Sequence, residues 1–210
     1  MEYHCDKYNC GTSPLNIKGK ISIMHDQKLL NKYFSKSWCP STSKYIYSGY
    51  AIADKISSED VVIDVGCGTN PFKGHINNLI GIDPTDVGSD VVTTIEDFKP
   101  KVLYDVALCL GSINFGNETI ITNQIEKVND LLFPCARIFW RLNPGKHDHT
   151  DYNHHYIDDC NNIDFFTWTF ELLNSYAVMH GFEQIICALD SNGDHVRLYA
   201  EWVRGFQPEP

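Results

Sequence analysis

Val61-Val62-Ile63-Asp64-Val65-Gly66-Cys67-Gly68-Thr69-Asn70-Pro71-Phe72 is the stretch whose reading decides the fold. The β-branched run Val61, Val62, Ile63 and Val65 predicts a short strand buried on both faces. Asp64 interrupts that run near its end. Gly66 and Gly68 then permit a tight turn in which bare backbone approaches a ligand closely. A second apolar run, Leu79-Ile80-Gly81-Ile82-Asp83, also ends in an acid. An acid leaving the neighbouring strand can accept hydrogen bonds from the vicinal hydroxyls of a ribose. Strand, glycine turn and downstream acid together predict an open α/β sheet with a nucleotide crevice at its carboxyl edge.

Asp64-Val65-Gly66-Cys67-Gly68-Thr69-Asn70-Pro71-Phe72, followed by Ile80-Gly81-Ile82-Asp83, resembles the class I S-adenosylmethionine-dependent methyltransferases, small members in particular. The dinucleotide fingerprint G-x-G-x-x-G fits less well, because Pro71 stands where its third glycine belongs. A glycine turn in an unrelated α/β protein is the bland alternative. The resemblance spans about residues 45–203 and implies a Rossmann-like, seven-stranded, mostly parallel sheet. Helices flank both faces of such a sheet, and it closes on an antiparallel C-terminal hairpin. It implies S-adenosylmethionine as cofactor. Asp64 would then support the turn and the cofactor's ammonium, with Gly66, Cys67 and Gly68 along the amino-acid end. Asp83 would take the ribose hydroxyls, with Pro84 beside it. Thr94 and Ile95 would meet the adenine, and Leu110 would pass beneath the methionine end. Many relatives carry an acid at the position of Thr94; Glu96 and Asp97 are the candidates to replace it.

Outward from that core, residues 1–44 read as an extension or lid, 45–205 as the domain, and 206–210 as a loose tail. A helix capped by Ser41 or Thr42 and running to about Ile56 would feed the first strand. Residues 90–94 predict a third strand and Tyr104-Asp105-Val106-Ala107-Leu108-Cys109-Leu110 a fourth. Apolar spacing predicts a helix over 118–132, stopped by Phe133-Pro134, and then a fifth strand over 137–142. A last helix over 164–180 carries Phe165, Trp168, Leu172, Tyr176 and Met179 on one face, with Gly181 as its stop. Strands over 183–189 and 195–203 flank the hairpin signal Asn192-Gly193.

The segment after the fourth strand, Gly111-Ser112-Ile113-Asn114-Phe115-Gly116, carries what substrate information there is. It is neither the Asn/Asp-Pro-Pro-aromatic loop of amino-group base methylases nor a Pro-Cys nucleophile. Asn114 is a candidate to orient a substrate, set against a turn-stabilising role. The stretch 146–160 holds His147, His149, His154 and His155 among four aspartates. Its histidines could move a proton, or sit as solvated surface; no strong metal-ligand spacing is present there or at His4, Cys5 and Cys10. No metal is therefore expected.

The 210 residues carry a formal net charge of −10, which argues against non-specific binding to a phosphate backbone. No apolar run reaches the ~18 residues that suggest a membrane span. The eight cysteines are scattered, with Cys109 and Cys187 inside expected buried strands, which points to reduced thiols and a cytoplasmic setting. The expected function is methyl transfer from S-adenosylmethionine to an acceptor, a small molecule by preference. A non-catalytic methyltransferase-like binding or assembly module is the alternative, and a nicotinamide-dependent oxidoreductase a distant third. The sequence names no catalytic base and no oligomeric state.

Overall fold

The computed structural model describes residues 50–86, 88–144, 165–192 and 195–205. The expected extension at 1–44, the histidine-bearing stretch at 146–160 and the tail at 206–210 lie outside them. In chain order the elements are α1 (Tyr50–Ala53), β1 (Val61–Val65), β2 (Asn78–Asp83), β3 (Val91–Val92), β4 (Tyr104–Leu110) and α2 (Glu118–Asp130). They continue with β5 (Leu132–Leu142), α3 (Phe170–Met179), β6 (Phe182–Asn192) and β7 (His195–Arg204).

The seven strands form one sheet in the order β3-β2-β1-β4-β5-β7-β6. The pairs from β3 across to β5 are parallel, and β7 inserts antiparallel between β5 and β6. Strand order reverses between β1 and β4, which makes their carboxyl ends a topological switch point, the place where open α/β sheets carry their crevice. This is the seven-stranded, mostly parallel sheet with an antiparallel C-terminal hairpin that the resemblance implies.

Alternation along the strands divides the core in two. Ile63, Val65, Ala107, Cys109, Ile138 and Trp140 face α2 and α3, which bury Ile121, Ile125 and Val128, and Leu173, Tyr176 and Ala177, against them. Val62, Val106, Leu108 and Phe139 face the other way, onto Ile52, Phe72 and Ile76. Both described long helices are capped at their N-termini. Asn117 accepts the Ile120 N–H and Thr169 accepts the Leu172 N–H, each at 3.2 Å.

Several element boundaries differ from expectation, each for a physical reason. The last helix starts at Phe170, because Phe165, Phe166 and Trp168 are tied to the segment after β4 and to Asn143. Its buried face is accordingly Leu173, Tyr176 and Ala177, and Met179 is exposed. Pro134 does not end α2; it lies inside β5, which already begins at Leu132. The ladder with β4 shifts register there, so a residue without an N–H is tolerated. β3 is two residues long with Val91 and Val92 both exposed, since it has a neighbour on one side only. Cys187 is half-buried on the edge strand β6, whereas Cys109 is fully buried as expected. Between β1 and β2 the chain forms turns in place of a helix.

Candidate functional site

The turn after β1 needs unusual backbone. Gly66 and Gly68 have φ of 71° and 55°, and Asn70 follows at 55°, in the region that a non-glycine residue rarely occupies. A Cβ on Gly66 would stand 2.4 Å from the Ser112 Cβ, so any side chain there would collide with the segment after β4. The two loops that flank the crevice are therefore in contact at Gly66.

The polar groups of this turn are committed inward. The Gly66 and Cys67 N–H groups both donate to the Ile82 carbonyl, at 2.8 and 3.0 Å. The Gly68 N–H donates to Asp83 Oδ2 at 2.9 Å. Asp83 Oδ1 accepts the Thr85 N–H at 2.8 Å and also the Thr85 hydroxyl. Turn and acid are thus one hydrogen-bonded unit joining the ends of β1 and β2.

A second carboxylate lies beneath. Asp64 is buried, and burial pushes its pKa up to about 7; the Asp83 charge adds to the rise, while Arg141 opposes it. Burial, reinforced by Asp64, Asp83 and Asp90, also pushes the Cys67 thiol far up, so it stays protonated and is no nucleophile. The short connection from β1 to β2 is pinned by Asp90. Its carboxylate accepts from the Gly81 N–H at 2.9 Å, Asn70 Nδ2 at 3.1 Å and Lys73 Nζ at 2.7 Å. Burial raises the Asp90 pKa, but these partners outweigh it and hold the carboxyl below its ordinary value.

Other expected site residues sit around this unit. Pro84 follows Asp83 directly and is half-buried. Thr94 caps the turn that leaves β3: its hydroxyl accepts the Asp97 N–H and donates to the Asp97 carboxylate, both at 3.2 Å. Glu96 accepts from Gln124 on α2 at 2.8 Å. The Ile95 side chain belongs to the core under α2. Leu110 ends β4, half-buried beside the Ile52 cluster.

The segment after β4 is closed by long-range contacts. Asn114 is fully buried, and its Oδ1 accepts the Asn143 N–H at 2.9 Å beyond the end of β5. Its carbonyl accepts the Phe166 N–H at 2.8 Å. The Trp168 indole N–H donates to the Ile113 carbonyl at 3.0 Å. Asn114 is thus a clamp between loops, the structural role set beside substrate orientation above. Thr85, Ser112, Arg141 and Asp90 were not singled out from sequence. Of these only Thr85 carried a local signal, a hydroxyl residue two places after an Asp.

Among the described residues, no cluster of His, Cys, Asp and Glu could hold a metal, and no helix is long and apolar enough to cross a membrane.

No protein-family model and no curated protein sequence matches this chain. Solved structures do. The 1,6-didemethyltoxoflavin-N1-methyltransferase of Burkholderia thailandensis, with 1,6-didemethyltoxoflavin and S-adenosylhomocysteine bound, is 12% identical. It aligns with a TM-score of 0.59 over 74% of this chain and 75% of that one. The magnesium protoporphyrin IX methyltransferase of Synechocystis PCC 6803, with S-adenosylhomocysteine bound, is 14% identical, with a TM-score of 0.58 over 74% and 78%. A SAM-dependent methyltransferase of Methanosarcina mazei is 12% identical, with a TM-score of 0.57 over 75% and 98%. With the strand order and the crevice, these likenesses establish that the chain has the fold of the class I S-adenosylmethionine-dependent methyltransferases.

Proposed function

We propose that the chain binds S-adenosylmethionine against the carboxyl ends of β1 and β2 and transfers its methyl group to a small-molecule acceptor. One observation carries this reading. The N–H groups of Gly66, Cys67 and Gly68 are consumed inside the protein, beside two carboxylates, Asp64 and Asp83. A phosphate needs free N–H donors and positive potential, so this turn is a poor pyrophosphate cradle. A ligand bearing cations and hydroxyls suits it. S-adenosylmethionine has an ammonium, a sulfonium and a ribose diol. The nicotinamide alternative loses its support on the same ground.

In this reading Asp64 faces the ammonium, whose charge holds the carboxyl ionised, and Asp83 takes the ribose. Pro84, Thr94, Ile95 and Leu110 form the rim toward the adenine and the methionine end. When bound, the cofactor supplies a methyl group already activated on a positively charged sulfur. The chain's own contribution is alignment and exclusion of water, and alignment alone can supply up to ~7–11 kcal/mol. A small acceptor is favoured by the net charge of −10 and by the toxoflavin precursor bound in the Burkholderia structure. The free thiols of Cys67, Cys109, Cys135 and Cys187 fit a reducing, cytoplasmic setting.

Isothermal titration of the purified chain with S-adenosylmethionine and S-adenosylhomocysteine tests the reading. Binding is expected, with Asp83→Ala weakening it at least about tenfold through loss of a charged hydrogen-bond acceptor. No binding at millimolar ligand sinks it. Thr94 favours a second reading, a module that binds cofactor but turns nothing over, because its uncharged hydroxyl stands where many relatives carry an acid and is engaged by Asp97. Turnover on any acceptor in a broad panel removes that alternative.

A further inference from the structure

Asp83 is the residue through which the cofactor reading meets the sugar, and its acceptor sites are already crowded. An ionised carboxylate has about four of them. The Gly68 N–H fills one on Oδ2, at 2.9 Å. The Thr85 N–H, at 2.8 Å, and the Thr85 hydroxyl fill both on Oδ1. Among the described residues no other donor reaches this carboxylate, which leaves a single site on Oδ2, whereas a ribose presents two hydroxyls.

We infer that Thr85 sets how this site reads the sugar: while its hydroxyl occupies Oδ1, Asp83 accepts one ribose hydroxyl and leaves the other unread. The Gly68 and Thr85 N–H groups belong to the backbone of the turn and stay in place whatever binds. Among the described residues, the Thr85 hydroxyl is the one donor on Asp83 that a bond rotation or a substitution can remove. It therefore works as a competitor of the second ribose hydroxyl. Thr85 is buried, so water does not readily take its place. Affinity for the adenosyl group is held down and specificity for the intact diol is relaxed.

This inference rests on the cofactor reading, and the experiment separates the two. S-adenosylhomocysteine and its 2′-deoxy and 3′-deoxy analogues are titrated into the full chain, into Thr85→Val and into Thr85→Ser. With the wild type, one deoxy analogue should bind about tenfold weaker than the parent, the size of a lost hydrogen bond to a charged group, and the other within about twofold of it. Thr85→Val should bind the parent about tenfold tighter and discriminate against both analogues. Thr85→Ser keeps the hydroxyl and should follow the wild type. Equal losses for both analogues with the wild type overturn the inference, as does unchanged affinity in Thr85→Val. The analogue comparison decides the matter even if Thr85→Val does not fold. Failure of the wild type and every variant to bind the parent at millimolar concentration overturns the cofactor reading and this inference with it.

Discussion

The crevice has two banks, built by different means. The bank made by β1 and β2 is held by hydrogen bonds between residues nearer in sequence than those of the other bank: Gly66, Cys67 and Gly68 on one side, Ile82, Asp83 and Thr85 on the other. The bank made by β4 and β5 is held by contacts between distant segments. Residues 113–115 are covered by 165–168 and clamped to Asn143. The first bank is polar, built on two buried carboxylates, Asp64 and Asp83. The second is packed with aromatic rings, Phe115 on Phe165 at 5.4 Å and Phe166 on Trp168 at 4.9 Å. The contrast separates two tasks. Backbone hydrogen bonds between two strand ends build the bank proposed above as the cofactor's seat, and tertiary packing between distant segments builds the other.

Trp168 offers the strongest way to break that contrast. Its ring is fully buried, stacks near Tyr176 at 5.7 Å, and donates to Ile113. Trp168→Ala should cost about 3–5 kcal/mol in urea unfolding. Cofactor affinity measured in the folded variant should change by less than about threefold if the banks are independent. A parallel loss of affinity would show that the Gly66–Ser112 contact transmits the damage and that the two banks act as one body.

The same contrast explains what the sequence made legible. β1, the glycine turn and Asp83 could be read directly because strand burial, positive φ and a strand-end acid each leave a local mark. β4 is legible to both ends for the same reason, an apolar run broken only by Asp105 beside its start. The second bank was not legible. Phe165 and Trp168 fall on a helical stripe in the sequence, yet both lie ahead of the helix, which starts at Phe170. Their pairing with residues 113–115 outweighs the helical pattern, and no local window contains both partners. Pro134 misled in a similar way. It reads as a helix stop, whereas the register shift against Tyr104 and Val106 accommodates it within β5. Arg141 sits in an apolar strand segment, and its effect on Asp64 depends on β1 and β5 lying on either side of β4, which no local window reveals.

Asp64 sharpens the comparison through pH. Its folded pKa is about 7 against an ordinary 3.8, so the folded state holds a proton that the unfolded chain releases between those values. Its contribution is full below about pH 4 and is lost as pH rises through about 7, a change of up to ~4 kcal/mol. Stability of the ligand-free chain should therefore fall between pH 4 and 7 through this group, and Asp64→Asn should flatten that part of the profile. If the cofactor's ammonium sits on Asp64, binding near pH 7 must also release a proton. The heat of binding should then depend on the ionisation enthalpy of the buffer in the wild type and not in Asp64→Asn. A wild-type profile as flat as the variant's would mean that Arg141 already keeps Asp64 ionised.

The smallest expected effect lies at the outer edge of the first bank, where Asp90 ties Lys73, Asn70 and the Gly81 N–H together. Here no helix follows the glycine turn, so this carboxylate does the pinning that helix packing would otherwise provide. Asp90→Asn keeps an oxygen for the Gly81 N–H and loses the charge that holds Lys73. Lys73 is half exposed and the Asp90 side chain a quarter exposed, so solvent screens the pair. A loss of about 0.5–1 kcal/mol is expected, shrinking further in 1 M salt, where the Debye length falls to about 3 Å. A loss above about 2 kcal/mol that salt leaves unchanged would mean that the pair is sealed from water. The first bank would then depend on a buried ionic clamp as much as on its backbone hydrogen bonds, and the division between a locally written bank and a packed one would narrow.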